Sequence, residues 1–465
     1  MNQTTTTRRE FVKGAAGMAG ILAAGYGPSL YAAGANARVR VACVGYSDRF
    51  RQTLLPCFLH HNKELNFDLV AVADLWKKRL FEHAKPELEK KLGHAVETYS
   101  SDVSLYENAK DIDAVIISTA DFQHAQHAVH AVNAGKDAYC EKPIAEDMYS
   151  ANMLLDAVNA KRSLGAMKPG AVLQIGSQRR SGAKYKAAKD YIDSGKFGDI
   201  SYVHLTWNVN QPRRWRRSEE LVQSLKKEDI DWNMWLLDRD PAENPFDPRK
   251  YLEFRLFWPF SSGIPGQWMC HQIDTVAWFM GQPYPKSAVS SGGLYQWADG
   301  RQSYDTFTTL MEYGESGVKG KGFQVMFQSH QTNCAGGTNE KYFGPNGCID
   351  LGAGAVTNEG VERVKPTSED LPCPKETVVA SANTGGDALT SAHMRNWMEC
   401  VRSRTDPNAP VEAGYSHAIA LIMSNAALRT GMRATFDAES RQVLAGGKPW
   451  TGYKSMADGW FKNLF

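Results

Sequence analysis

The segment Glu141-Lys142-Pro143 places an amine where a sheet would present it to a ligand. Residues 137–140 are predicted to form a short buried strand, and Pro143 ends that strand. Open α/β sheets bind their ligands at the carboxyl ends of their strands. A lysine at this edge, partly removed from water, can lose its proton near neutral pH and act as a general acid or base. The segment therefore predicts proton transfer at Lys142, although a surface lysine before a turn would look the same.

A second set of polar side chains lies at the start of an apolar helix that is predicted to reach Met280. Gln267 and His271 are four residues apart, and His271 and Asp274 are three apart, so each pair shares a helix face. A histidine at the start of a helix can also make a purely structural hydrogen bond, and the spacing leaves that alternative open.

The elements that would position Lys142 alternate between strand and helix, which predicts a doubly wound parallel sheet. Strands are predicted at residues 38–44, 68–74, 113–118 and 137–140. The first strand runs into Gly45, and Ser47 is small enough to let backbone approach a pyrophosphate. Only the first glycine of the GxGxxG pattern is present, so this turn alone is a weak signal.

Polar residues after the other strands indicate a nicotinamide cofactor. Asp74 ends the second strand, where a carboxylate accepts a hydrogen bond from a ribose hydroxyl and repels a 2′-phosphate. This favours NAD over NADP, although the basic run 77–79 follows closely. Thr119 and His124 follow the third strand and could lie beneath the nicotinamide ribose, or His124 could be a core or capping histidine. A phosphate-gripping Lys-Ser/Thr pair is missing from this part of the sequence, which argues against an NTPase.

Taken in order, these motifs resemble those of the Gfo/Idh/MocA family, which includes glucose–fructose oxidoreductase and inositol dehydrogenase. The resemblance extends over nearly the whole chain after the N-terminal segment. It implies an α/β protein with an N-terminal Rossmann doubly wound parallel sheet. A C-terminal α+β domain with a large open, mainly antiparallel sheet would follow.

The resemblance also implies roles for individual residues. Glu141 and Lys142 would lie against the cofactor, Lys142 would be catalytic, and His271 would be its proton-transfer partner. Gln267 stands where this helix carries an aspartate in the family. A glutamine can hydrogen-bond a hydroxyl but cannot hold a negative charge beside Lys142.

We divide the chain into a signal and linker (1–37), an NAD-binding domain (38–165), a substrate and oligomerisation domain (166–390) and closing helices (391–465) that return to the cofactor domain. Alternating runs at 286–296, 304–313 and 321–329 predict the antiparallel sheet. The segment 211–260, rich in Trp and Arg, is too long for a hairpin loop and is predicted to fold over the site. The candidate substrate-binding residues are Gln178, Arg179, Tyr251, Arg255, Trp258 and Asp274.

Composition narrows the classes of partner. Lys and Arg total 53 and Asp and Glu total 51, a net charge of +2 that gives no reason to expect nucleic acid. Eight cysteines without CxxC spacing argue against a zinc site, and we expect no metal. In an oxidising compartment, one disulfide among Cys334, Cys348 and Cys373 is possible. No stretch reaches membrane-spanning length, and the family sheet makes a homo-oligomer, a dimer or tetramer, the expectation.

The N-terminal segment resembles a twin-arginine export signal, with Arg8-Arg9 before Phe11 and a mild apolar run over 15–24. This route carries folded proteins, which suits a cofactor loaded before export and tightly retained. The expectation is a periplasmic protein.

The sequence therefore predicts an NAD-dependent oxidoreductase that transfers a hydride between the cofactor and a hydroxyl-bearing carbon of a sugar. A first alternative keeps NAD but cleaves glycosides by transient oxidation and elimination. A second alternative is a non-catalytic exported protein that binds sugar.

Overall fold

A computed structural model describes residues 37–109, 111–163, 171–372 and 388–452. The predicted export signal and Cys373 lie outside these ranges, while Cys334 and Cys348 are free thiols. Within the described ranges, no helix combines the length and the apolar character that crossing a bilayer requires.

The first sheet has six parallel strands in the order β3-β2-β1-β4-β5-β6. Its strands are β1 Val39–Val44, β2 Phe67–Ala73, β3 Glu97–Tyr99, β4 Ala114–Ile117, β5 Asp137–Cys140 and β6 Leu173–Ile175. Its helices are α1 Leu55–Leu65, α2 Lys85–Leu92, α3 Asp102–Asn108, α4 His124–Asn133 and α5 Met148–Ser163. Successive strands are added on one side of β1 up to β3 and on its other side from β4 onward. Such sheets bind ligands at this switch point between β1 and β4. The predicted doubly wound parallel sheet is confirmed.

The second sheet has eleven strands in the order β14-β13-β12-β11-β7-β10-β9-β8-β15-β16-β17. Its strands are β7 Tyr202–Trp207, β8 Ser287–Gly293, β9 Thr306–Gly314, β10 Gly322–His330, β11 Thr338–Gly344, β12 Gly347–Asp350, β13 Ala355–Thr357, β14 Ser368–Asp370, β15 Ala434–Asp437, β16 Gln442–Ala445 and β17 Lys448–Pro449. Only β7 and β10 pair in parallel among these described strands, so the predicted mainly antiparallel sheet is confirmed. The edge strands β15 to β17 follow the closing helices and were not predicted.

The remaining helices are α6 Ala183–Asp193, α7 Glu219–Ser224, α8 Trp232–Leu236, α9 Pro248–Leu252, α10 Cys270–Met280, α11 Ala388–Ser403 and α12 Val411–Thr430. The helix α12 is buried along most of its length and joins the two sheets. A Cβ on its Gly414 would lie 3.0 Å from Ile175 of β6, so the contact with the first sheet is close. On the other side, Thr309 of β9 hydrogen-bonds Ser424. One continuous hydrophobic core therefore serves both sheets, and this fixes the cleft between them.

The segment 211–260 packs against the carboxyl edge of the first sheet. Trp232 and Trp235 stack at 4.6 Å and belong to a buried cluster that also contains Trp76 and Phe122. These two tryptophans of the segment therefore form part of a core. The helix α11 packs on one face of the first sheet, where the Trp397 ring lies 6.0 Å from that of Tyr139.

Candidate active site

A cleft of about 300 Å³ lies where the carboxyl ends of the first sheet face the second domain. From the first domain it is lined by Ser47, Arg49, Ser118, Thr119, His124, Glu141 and Lys142. From the second domain it is lined by Gln178, Trp207, Arg214, Trp215, Arg255, Gln267, Trp268 and His271. The cleft thus brings Lys142, His271 and Gln267 together.

Lys142 follows β5, and its Nζ donates to the backbone carbonyl of Gln267 at 2.8 Å. Its neighbour Glu141 is buried and accepts from Arg49 at 2.8 Å. Burial raises the pKa of Glu141, but the positive charges of Arg49 and Lys142 outweigh this and hold that pKa below its ordinary value. Glu141 is therefore an anion that helps to fix two cations at the edge of the sheet.

His271 lies in the first turn of α10, and its ring stacks on Trp207 at 5.7 Å. Burial and the positive charge of Lys142, with further cations behind it, hold the pKa of His271 well below its ordinary value. The imidazole is therefore neutral at pH 7 and can accept a proton from a ligand.

Gln267 connects the second domain to a buried carboxylate of the first domain. Its Oε1 accepts from Arg255 Nε at 2.7 Å, and its Nε2 donates to Asp121 Oδ2. The Oγ of Ser261 donates to the same oxygen at 2.7 Å. The carboxylate that position 267 lacks in this chain is thus present one hydrogen bond away, at Asp121.

Asp121 is completely buried and was missed in the sequence. It lies in the polar stretch 119–124 after β4, but an aspartate that opens a short helical turn is an ordinary capping residue. Only its position in the sequence, between Thr119 and His124, could have drawn notice to it.

We expect Gln267→Ala to lower the stability of the folded protein by about 1–3 kcal/mol at pH 7, because it leaves the buried Asp121 carboxylate without one of its donors. Thermal unfolding of the purified variant measures this. Gln178→Ala is the matched control, since Gln178 lines the same cleft and its Oε1 has no partner. Equal melting temperatures for the two variants would contradict the bridging role of Gln267.

A second buried carboxyl, Glu146, lies beside Asp121. Ser262 donates to Glu146 Oε1 at 3.2 Å, while Glu146 Oε2 is buried without a partner. Burial and the charge of Asp121 raise the pKa of Glu146 to about 8. Glu146 is therefore protonated at pH 7.

This proton makes stability depend on pH. An unfolded glutamate titrates near ~4.3, so between that pH and about 8 the folded state binds more protons and loses stability as the pH rises. We expect Glu146→Gln to flatten this loss and to gain on the order of 1–3 kcal/mol relative to the parent protein between pH 5.5 and pH 8.5. Melting temperatures at the two pH values measure the effect. Glu362→Gln, at an exposed position, should leave the change in melting temperature between the two pH values as it is in the parent protein. If Glu146→Gln also showed the same change as the parent protein, the assignment would be refuted.

The glycine turn fits a dinucleotide. Gly45 has φ +86°, and a Cβ there would lie 2.7 Å from Thr119 Cγ2, so the ends of β1 and β4 approach closely only with glycine. Ser118 Oγ donates to the Gly45 carbonyl at 2.8 Å. His124 Nδ1 donates to the Pro143 carbonyl at 2.7 Å, and its buried Nε2 is left without a partner. An unpartnered acceptor in the lining of the cleft fits a polar cofactor group such as a carboxamide.

Asp74 lies just after β2, as predicted, but outside the lining of the cleft. Its two carboxylate oxygens accept from the backbone N–H groups of Tyr46 and Trp76, each at 2.9 Å. Arg79 lies 3.8 Å from the same carboxylate and over the Trp76 ring. Asp74 therefore ties the glycine turn to β2, with a cation beside it.

Of the six candidate substrate residues, the structure brings Gln178 and Arg255 to the cleft. The other four lie in the interior. Arg179 pairs with Glu340, and Asp274 is completely buried and pairs with Arg180 at 2.9 Å.

The two aromatic candidates also lie outside the lining of the cleft. Tyr251 packs 6.3 Å from Trp76 in the buried aromatic cluster, and Trp258 lies under Arg429 at 5.2 Å. None of these four described side chains is part of the lining of the cleft, because each satisfies its charge or covers its ring within the protein. The cleft instead contains residues that we did not single out: Arg49, Trp207, Arg214, Trp215 and Trp268.

The fold and the cleft define a two-domain chain in which a dinucleotide-binding type of sheet presents a lysine to a largely antiparallel domain. Residues 39–167 match the profile of the Gfo/Idh/MocA oxidoreductase family, NAD-binding Rossmann fold, and residues 240–434 match its C-terminal alpha/beta domain. An inositol 2-dehydrogenase from Streptomyces avermitilis is 31% identical over 251 residues, which are 49% of this chain and 69% of that protein. The chain belongs to the Gfo/Idh/MocA family of oxidoreductases.

Other similarities are more distant or partial. The inositol 2-dehydrogenase of Salmonella paratyphi B is 32% identical over 160 residues, which are 34% of this chain and only 42% of that relative. The crystal structure of the aldose-aldose oxidoreductase from Caulobacter crescentus superposes with a TM-score of 0.59 and 16% identity, covering 86% of this chain and all of that one. This structure supports the fold alone.

Proposed function

We propose that this protein is an NAD-dependent oxidoreductase that transfers a hydride between the cofactor and a hydroxyl-bearing carbon of a sugar or related polyol. The observation that supports it most is the meeting of Lys142 and His271, from separate domains, in one cleft beside the Gly45 turn. The names of the relatives, inositol 2-dehydrogenases and an aldose-aldose oxidoreductase, agree with a polyhydroxylated substrate.

NAD, when bound, supplies the hydride acceptor, and the chain supplies orientation and proton transfer. We assign Gly45, Ser47, Thr119, His124 and Glu141 to holding the cofactor at the edge of the sheet. Lys142 donates a hydrogen bond to the substrate hydroxyl, and the neutral His271 accepts the proton that leaves it. Positioned proton transfer of this kind contributes roughly 10²–10⁴-fold in rate.

Gln267 has an orienting role in this proposal. Its amide is held from one side by Arg255 and from the other by Asp121, so its position beside Lys142 is fixed before substrate arrives. Preorganisation of this kind lowers the entropic cost of reaching the reactive geometry.

We propose NAD rather than NADP because Asp74 follows β2, where its charge opposes a 2′-phosphate. We also propose export to the periplasm by the twin-arginine route, which Arg8-Arg9 supports. We propose a homo-oligomer as well, because one face of β9 and β10 is half-exposed. Size measurement by light scattering tests the oligomer.

The decisive experiment identifies the nucleotide released when the purified protein is denatured, and then follows absorbance at 340 nm with a panel of hexoses and inositols. The proposal expects NAD, together with NADH production that depends on sugar. Cleavage of aryl glycosides without net NADH would instead favour transient oxidation and elimination. Protein that neither carries nor binds a nicotinamide nucleotide would refute redox chemistry and leave a sugar-binding protein.

A further inference from the structure

The cleft is lined by more positive than negative side chains. Its cations are Arg49, Lys142, Arg214 and Arg255, and its lining carboxylate is Glu141. Three of these cations have an anion close by: Arg49 pairs with Glu141 at 2.8 Å, Lys142 interacts with the charge of the same carboxylate, and Arg255 lies 3.7 Å from Asp121. The exception is Arg214, whose guanidinium forms no ion pair and no hydrogen bond with any residue in the described part of the chain; its Nε is buried and unpartnered.

Arg214 is held in place in spite of having no anion. Its guanidinium lies 5.8 Å from the ring centre of Trp215 and 5.7 Å from that of Trp268. Trp268 stacks in turn on Trp207 at 6.0 Å. The aromatic rings keep water away from one face of the guanidinium, so an anion that approached it would be attracted more strongly than at an open surface.

An unpaired and partly buried cation is unfavourable for the folded protein, because desolvation of its charge is not offset. Arginine stays protonated in such a site, since its ordinary pKa exceeds ~12. Burial and the neighbouring charge of Arg255 lower the pKa of Arg214, which is the direction expected for a site that lacks an anion. A ligand that brought an anionic group would relieve both effects.

The geometry of the cleft separates this anion from the cofactor, because the diphosphate of a dinucleotide lies at the glycine turn and the adjoining helix start. That turn carries Ser47 and Arg49 from the first domain. Arg214 belongs to the segment after β7 in the second domain, and its charged neighbour is Arg255. This is the side of the cleft that a substrate would occupy.

Resting on the proposed function, we propose that the substrate is an acidic sugar whose anionic group, a carboxylate or a phosphate, pairs with Arg214 while its reacting hydroxyl lies at Lys142 and His271. The planar guanidinium offers two parallel donors to either group.

The test measures binding and turnover separately. Calorimetry in excess NADH, which prevents oxidation of a carbinol, compares the neutral sugar, the uronate and the 6-phosphate of the gluco, galacto and manno series. We expect one acidic member to bind about 10- to 100-fold more tightly than its neutral counterpart. The uronate and 6-phosphate arms identify which anion Arg214 accepts.

Arg214→Gln should reduce this ratio of affinities to near one, and Arg214→Lys should retain part of it because the charge remains. Arg213→Gln is the matched control, since Arg213 is exposed and absent from the cleft lining. Equal binding of neutral and acidic sugars, no binding of any acidic sugar, or an unchanged ratio in Arg214→Gln would overturn the inference.

The two proposals can fail separately. Turnover of neutral sugars without preference for acids would leave the oxidoreductase proposal intact and refute the role of Arg214. Binding of an acidic sugar through Arg214 without any bound nucleotide or NADH production would support the anion site and refute the redox function.

Discussion

Lys142→Met is expected to lower kcat/KM for sugar oxidation by about 10³-fold or more, while the protein still folds and retains its nucleotide. Methionine keeps most of the length of the side chain but removes the ammonium group that donates to the Gln267 carbonyl at 2.8 Å. The variant therefore loses the donor that would hold the reacting hydroxyl. Initial rates at 340 nm, together with nucleotide content after denaturation, measure both parts of the expectation.

Lys161→Met is the matched control for Lys142→Met. Lys161 is also part-buried, and its Nζ also donates to a backbone carbonyl, that of Asn133 at 3.4 Å. It lies on α5 and is absent from the lining of the cleft. If Lys142→Met kept the activity of the Lys161→Met control, the assignment of the cleft as the active site would be wrong.

The second large effect is expected for His271→Asn, with a loss of roughly 10²–10³-fold in kcat/KM because the proton acceptor is removed. The ring also determines the pH profile. Protonation of His271 inactivates it as a base, and its lowered pKa moves that event to more acidic pH. The parent enzyme should therefore keep its kcat/KM from pH 7 down to below the ordinary histidine value of ~6.5 before it declines.

His204→Asn is the control for His271→Asn, since His204 lies on β7, the strand whose Trp207 stacks on His271, but outside the cleft lining. Only His271→Asn should lose the acidic limb of the profile. An unchanged limb in His271→Asn would show that another group accepts the proton. The double variant Lys142→Met/His271→Asn should be little worse than Lys142→Met alone, because residues that act as one unit are not additive.

The arrangement of strands and helices could be predicted from the sequence, because it follows from patterns among neighbouring residues. The alternation of apolar and polar residues in β9 and β10 predicts strands with one buried face, and both strands have that pattern of burial. The alternation of strands and helices before residue 165 predicts a parallel sheet. Pro143 cannot continue a strand, so it predicts that the strand ends just before it and that Lys142 lies at the carboxyl edge of the sheet.

The partners of the polar side chains were not available from the sequence. Asp121 and Gln267 are 146 residues apart, and Arg179 and Glu340 are 161 apart. The residue types were visible, but which arginine would meet a carboxylate and which would remain unpaired was not. For this reason the sequence could not show that four of the six candidate substrate residues lie in the interior.

The sequence by itself determined the order of the elements, the parallel first sheet and the places of Gly45 and Lys142, because each depends on a few neighbouring residues. The tertiary structure alone decided that Asp121 supplies the buried charge beside Gln267 and that Arg214 is left without an anion. These are pairings between segments distant in the chain, and their energies depend on distance and burial, which periodicity and local spacing do not contain.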